Sequence, residues 1–414
     1  MNDSFDDDLR RSLHSQADGL PRMPDLSRGA ISRAHGIRRR RRVAGIAAAA
    51  AVVAIAVPIG LRVGDVISNG SGPVDPSTHG PSAVISESAG PVSRVHIPLD
   101  LQELSEGGAP GVPYLDGRTV VGDGFTVDVS GGVTAVAPVV DDAYVTGSWD
   151  KGWPMTRYAA DGTTEDLGTV QALPVASADG HWVAYATGET DESGNQVGPT
   201  ALTLVDDETG RSSSVEINDA SFVTVHAVVD GTVYFTYDTR AGRGVPLQTW
   251  SMDDASPKQV EGDLDATAVS SDGALAGRLT SVRDFGSCST IVQLTTGAQT
   301  PENCDYKYMG FSPDGTYAWA VPSDTEGYAA SKLVLVDVVT GSPFRVYDSK
   351  SMQHGISFMD ATFEDDDTLL VRAEQDGGTA LLRCTAEAND CELAAPLTDG
   401  TSLGRNPYLL PDGR

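Results

Sequence analysis

From about residue 111 onward, apolar and polar positions alternate with a period of two, the pattern of strands that bury one face. The alternation is broken at regular places by Asp-Gly, Asp-rich and Thr-Gly turns. Three segments repeat one design: ASADGHWVAY at 176–185, VSSDGALAGR at 269–278 and FSPDGTYAWA at 311–320. Each reads as a strand, a tight Asp-Gly turn and a second strand, because Asp and Gly tolerate the positive φ that such a turn needs. Looser copies at 136–147, 225–237 and 361–373 extend the series, with turns at Asp141, Asp179, Asp230, Asp272, Asp314 and Asp366. Two further strands follow each pair, most clearly in TALTLVDDETGRSSSVEI (200–217) and SKLVLVDVVTGSPFRVYD (331–348). A four-stranded antiparallel unit recurring every forty to fifty residues predicts an all-β fold, a β-propeller over 111–414. Six units run from about Val133 to Ala395. Strand-like segments are left over at 112–132 and 405–414, where PYLLPDG repeats the start of a unit. An open propeller would expose two sheet edges, so a seventh blade shared by both termini is favoured, with six blades and loose ends as the alternative.

The SPDG turn followed by YAWA, and then LVLVD with a Thr-Gly turn, resembles the WD-like repeat of TolB-type β-propellers. The resemblance covers about two thirds of the chain. It implies a propeller fold and a range of roles: protein-binding platform, sensor domain, or the non-catalytic lid of a peptidase.

One stretch breaks the strand pattern. Val43–Leu61 is apolar and uncharged over 19 residues. As a helix it would reach roughly 28 Å, about the thickness of the hydrocarbon core. Five arginines, Arg38–Arg42, precede it, and after it only Arg62 is close. This asymmetry predicts a single transmembrane helix (43–61), a basic cytoplasmic tail (1–42), and an extracytoplasmic remainder integral to the cell membrane through that one pass. A cleaved signal peptide is the alternative, with an unusually long basic region. Residues 62–110, rich in Ser, Gly and Pro over 63–95, are assigned to a flexible linker.

Charge sharpens this division. The chain carries −29 overall. Residues 1–42 hold 10 Arg against 6 Asp, which leaves 19 basic and 52 acidic residues in the rest, a balance of −33. A body so acidic repels nucleic acid and anionic lipid, so neither is expected as its partner. The tail, the helix and the outer propeller together resemble, more weakly, actinobacterial membrane proteins found beside sigma-factor regulators. That implies a tail able to bind a cytoplasmic protein of sigma-factor type. The His/Cys zinc pattern of many anti-sigma factors is missing, because residues 1–287 contain no Cys.

The four cysteines fall in the outer portion. Cys288 and Cys304 flank a hairpin that turns at 295–297, and Cys384 and Cys391 bracket a short loop. Two local disulfides, Cys288–Cys304 and Cys384–Cys391, suit an oxidising compartment. Crossed pairing and a four-Cys zinc site are the alternatives, the latter without any C-x₂-C knuckle. No catalytic, cofactor-binding or metal residue is assigned. Gly400–Gly404 matches G-x-S-x-G, but no His follows Ser402. The seven histidines are scattered, and the acidic runs 206–208 and 364–367 read as solvated turns. The chain therefore reads as a membrane-tethered propeller that binds a protein or small ligand outside the cell, with no cofactor and no enzymatic activity. An extracytoplasmic enzyme with its site in the propeller channel, or a regulator acting through the tail, is the alternative. Reporter fusions at each end test the topology. A C-terminal reporter active only in the cytoplasm would refute it.

Overall fold

The computed structural model describes residues 94–411, apart from 123–124, 141, 149–151, 192–195, 284–285, 326–328 and 400–406. The expected tail and transmembrane helix lie outside the described residues. Among the described residues the regular elements are strands, and no helix is long and apolar enough to cross a membrane.

The strands are laid down as consecutive antiparallel meanders. Ile356–Phe363, Thr368–Gln375, Gly378–Thr385 and Cys391–Asp399 form one four-stranded sheet in chain order. Ala220–Val229, Thr232–Thr239, Gly244–Ser251 and Lys258–Gln259 form another. The long strand Thr164–Ala176 belongs to two neighbourhoods. Its first half pairs with Trp153–Tyr158 and its second half with Val183–Thr187. The opening strands of successive sheets lie against one another, Ala220–Val229 against Thr164–Ala176 and Asp265–Val269 against Tyr306–Phe311. Meanders arranged around their first strands make the fold an all-β, propeller-like one.

The repeated Ser-x-Asp-Gly turn has one geometry in its three clear copies. The Ser177, Ser270 and Ser312 hydroxyls donate to the carboxylates of Asp179, Asp272 and Asp314 at 2.5–2.7 Å. The same serine oxygens accept the amides of Trp182, Leu275 and Tyr317 at 2.9 Å. Each carboxylate also accepts an amide two residues on, from His181, Ala274 and Thr316. Side chains thus satisfy the backbone donors of the turn, so the motif recurs in sequence. Gly273 holds φ +69°, and a Cβ there would lie 2.7 Å from the Tyr234 hydroxyl of the preceding sheet. Glycine serves both the turn and the packing between sheets.

The two ends of the propeller meet. Tyr408–Leu409 pairs antiparallel with Tyr114–Asp116, which continues into Thr119–Val121 and Thr126–Asp128. The C-terminal strand is therefore the first strand of a sheet whose other three come from the start of the domain, as expected of termini that share a blade. Tyr408, Leu409 and Leu410 are all buried.

Residues 94–110, expected to lie in the flexible linker, are instead an ordered strap. Val95–Leu99 adds a fifth strand, parallel, to the outer edge Ser342–Ser349, with Ile97 and Leu99 facing the core. Pro98 is tolerated because an edge strand does not need every donor. Beyond it Leu101 is buried and its amide donates to Gln375 Oε1 at 2.7 Å. Ser105 and Gly107 then exchange backbone bonds with Leu393 of the next sheet. The strap covers two sheet edges that would otherwise be open.

Truncating a buried apolar side chain costs about 2–5 kcal/mol. Deleting residues 405–414 removes three and should lower the melting temperature by roughly 10 °C or more. An unchanged melting temperature would show that the C-terminal strand does not hold the fold closed.

Candidate functional site

Two first strands, Tyr306–Phe311 and Ile356–Phe363, border a small cleft with room of about 40 Å³. Lys307 and Met309 line it from one strand, and Phe358, Met359 and Asp360 from the other. Trp319, Val321, Thr325, Ala330 and Leu333 complete the lining. Alternation alone would send Met359 and Asp360 to opposite faces. The strand register shifts between Phe358 and Asp360, and again between Tyr308 and Gly310. These bulges re-aim side chains, so consecutive residues reach one cleft. Trp319 can lie over its neighbour strand because Gly310 has no Cβ where the indole sits. Backbone bonds of 2.8 and 2.9 Å between Ala330 and Phe358 tie the two sheets together.

The electrostatics are uneven. The Lys307 ammonium is partly buried and donates to the Thr325 carbonyl over 3.5 Å. Burial pushes its pKa below the usual lysine value. Asp360 accepts from Arg372 Nε at 2.9 Å, and Arg372 Nη1 also donates to the Tyr408 carbonyl at 3.3 Å. Burial raises the Asp360 pKa, and Arg372 offsets part of that rise. The cleft thus combines apolar walls, one loosely held ammonium, and one carboxylate engaged by arginine. Strand alternation does not reveal it. Its signal was the Met placed after an aromatic in both strands, YKYMGF and ISFMDATF, at the point where alternation slips.

The expected disulfides are both present, Cys288–Cys304 and Cys384–Cys391. Cys384 faces Cys391 directly across paired strands, and the Ser289–Asn303 bridge sets Cys288 opposite Cys304. Glu302 lies beside the first pair. Those sulfurs are bonded to each other, so the trio does not form a thiolate metal centre. Gly400–Gly404 falls outside the described residues.

In the two acidic runs Glu208, Asp365 and Asp366 are exposed turn residues as expected, whereas Asp206, Asp207 and Glu364 are not solvated. Asp206 caps its turn by accepting the Thr209 amide at 3.0 Å. Asp207, 8% exposed, accepts Arg157 Nη2 at 3.0 Å and the Tyr144 hydroxyl at 3.3 Å. Glu364, 6% exposed, accepts Arg383 Nε and the Gly111 amide. Arg383 goes on to Glu392 and to the Gly108 and Ala109 carbonyls, which latches the strap to its sheet. These carboxylates are buried because each meets an arginine supplied by another strand.

No family model matches the sequence, and no curated protein matches it. Solved structures similar to this chain are β-propellers of varied roles. TolB from Acinetobacter baumannii is 15% identical, with a TM-score of 0.37, covering 57% of this chain and 65% of that one. An oligogalacturonate lyase in complex with manganese is 15% identical, with a TM-score of 0.45, covering 63% and 82%. The β-propeller domain of the Trilobed protease from Pyrococcus furiosus is 11% identical, with a TM-score of 0.41, covering 63% and 82%. The propeller assignment rests on the strand order described above.

His226 offers a test of burial. It is 8% exposed and its Nε2 lies 2.9 Å from the Thr236 hydroxyl. Burial lowers its pKa from 6.5 to about 4. The unfolded chain therefore takes up this proton first. Stability is intact above about pH 6.5 and falls as the pH drops toward 4, by about 2–3 kcal/mol. Urea unfolding at pH 7 and pH 4.5 should show a smaller pH penalty in His226→Gln. An equal penalty in both proteins would remove His226 as its source.

Proposed function

We propose that the chain is a membrane-tethered, extracytoplasmic β-propeller that binds a protein or small ligand as a sensor or scaffold. The observation that carries the binding role is the cleft between Tyr306–Phe311 and Ile356–Phe363. It is small, with apolar walls, two half-buried methionines able to shift for a guest, and a few polar groups. Its charged side chains lack the nucleophile–base pairing of a hydrolytic centre, which supports a non-catalytic role. Two disulfides, each closing a short loop, support an oxidising compartment. The uncharged Val43–Leu61 span and the arginines before it support the tether.

In this reading the propeller has seven blades. The strand Thr164–Ala176 serves as the last strand of one blade and the first of the next, and the closing sheet is the blade that both termini build. The carrying experiment is capture from an exported-protein and metabolite extract by the intact chain and by Met359→Arg. A bound species should be recovered by the first and lost at least tenfold in the second, with the melting temperature unchanged. Equal recovery by both proteins, or none by either, would contradict a binding role for the cleft.

A further inference from the structure

The outer strand of each sheet leaves one edge unpaired, and such edges invite pairing by other chains. Most of them are guarded. Val95–Leu99 pairs with Ser342–Ser349, and Ser105 and Gly107 bond to Leu393 in Cys391–Asp399. Lys258–Gln259 is two residues long and follows Pro257, and Thr126–Asp128 is three. Residues 299–303 join their sheet through isolated bridges at Gln299 and Asn303, with Pro301 between them. The outer half of Thr164–Ala176 is interrupted by a register shift after Met155, opposite Gly168 with φ +82°. Arg211–Ile217 differs from all of these. It ends the seven-stranded sheet and pairs with Gln196–Asp206 through all seven of its residues in unbroken register. On its other side it has no strand among the described residues. It contains no Pro and no Lys, and three of its side chains are serines.

The surroundings of this edge specify what would pair with it. Side chains alternate across the sheet. Val215 is half-buried against the core shared with the next sheet and Ile217 is buried, whereas Ser212, Ser214 and Glu216 on the other face are exposed. A strand added here meets Val215 on one face and Glu216 on the other. Charge is unbalanced in the same sense. Glu208, Glu216 and Asp219 are exposed on the strand and its flanking turns. Glu208 lies 3.8 Å from His181, and Glu216 and Asp219 have no ion pair among the described residues. The nearby cations are Arg211, opposite Asp206 in the register, and Arg240, which donates to the Gly198 carbonyl. A second copy of the chain would bring another acidic edge to this one and be repelled. An extended segment with basic residues on one face and apolar ones on the other is complementary.

We propose that Arg211–Ile217 is a docking edge for an extended segment of a partner protein in which apolar and basic residues alternate. The segment adds to this sheet as a further strand, as Val95–Leu99 does to another. An apolar side chain lies beside Val215 and a cation beside Glu216. Backbone hydrogen bonds hold the segment, and the acidic edge selects its sequence.

Calorimetry on the full chain in neutral detergent at low ionic strength tests this with acetyl-Lys-Val-Lys-Val-Lys-Val-Lys-amide. The peptide should bind at least tenfold more tightly than the same peptide with Glu in place of Lys. Two further peptides are N-methylated, one at the valines and one at the lysines. Successive residues of a strand point their N–H groups to opposite edges, so one of the two should lose binding at least tenfold while the other keeps it. Amide exchange at 211–217 should slow with the parent peptide while that of Val95–Leu99 is unchanged. The double variant Ser212→Lys/Glu216→Lys should bind at least tenfold less tightly with an unchanged melting temperature. No binding of the parent peptide at millimolar concentration would overturn the proposal. So would equal binding of the Glu peptide, equal binding of the two methylated peptides, protection confined to other strands, or undiminished binding by the double variant. Protection of 211–217 that rises with protein concentration in the absence of peptide would also overturn it, by marking a second copy as the occupant. The edge belongs to a different sheet from those that border the cleft, so these outcomes are distinct from capture through Met359.

Discussion

An antiparallel meander leaves two raw edges, and a ring of meanders holds together only if its last strand finds its first. Here that task falls on a very short strand. Tyr408–Leu409 meets Tyr114–Asp116 through two residue pairs, Leu115 with Leu409 and Asp116 with Tyr408. Neighbouring bonds reinforce the join. The Gly117 amide donates to the Pro407 carbonyl at 2.6 Å, and the Tyr408 hydroxyl donates to the Pro396 carbonyl at 3.0 Å. The candidate site depends on the same join. Arg372 holds the Tyr408 carbonyl with one nitrogen and Asp360 with another, so the closing strand and the cleft carboxylate share one buried cation.

The strap gives the edges a second form of protection. It runs from the edge Ser342–Ser349 to the outer strand Cys391–Asp399 and is fixed by apolar burial, backbone bonds and the Arg383 latch. The two sheets it crosses are those that border the cleft. Chain entering the domain from its N-terminal side is thus anchored on the outer strands of those two sheets.

What could be read from the sequence divides along the range of the interactions. The Ser-x-Asp-Gly turns were legible because all their hydrogen bonds fall within five residues, as at Ser177, Asp179 and Trp182. The disulfides were legible for the same reason, since each closes a local hairpin. The strap was not. Val95–Leu99 is five residues long, follows a Ser/Gly/Pro-rich stretch, and pairs in parallel with residues 250 positions away. The buried acids were misread because nothing near Asp207 or Glu364 in sequence announces the arginine that neutralises it. Arg157 lies 50 positions from one and Arg383 19 from the other. The cleft escaped notice because bulges at Met309 and Met359 break the very alternation used to sort inward from outward positions.

The central structural claim is that the far C-terminus is an integral strand of the closed fold. Amide hydrogen exchange under native conditions tests it most directly. The account predicts that the amides of 114–117 and 408–409 exchange only with global unfolding, at the rate of the core strand Lys332–Asp337. Fast exchange of the 408–409 and 114–117 amides, with Lys332–Asp337 still protected, would mean that the ring is not closed by this strand.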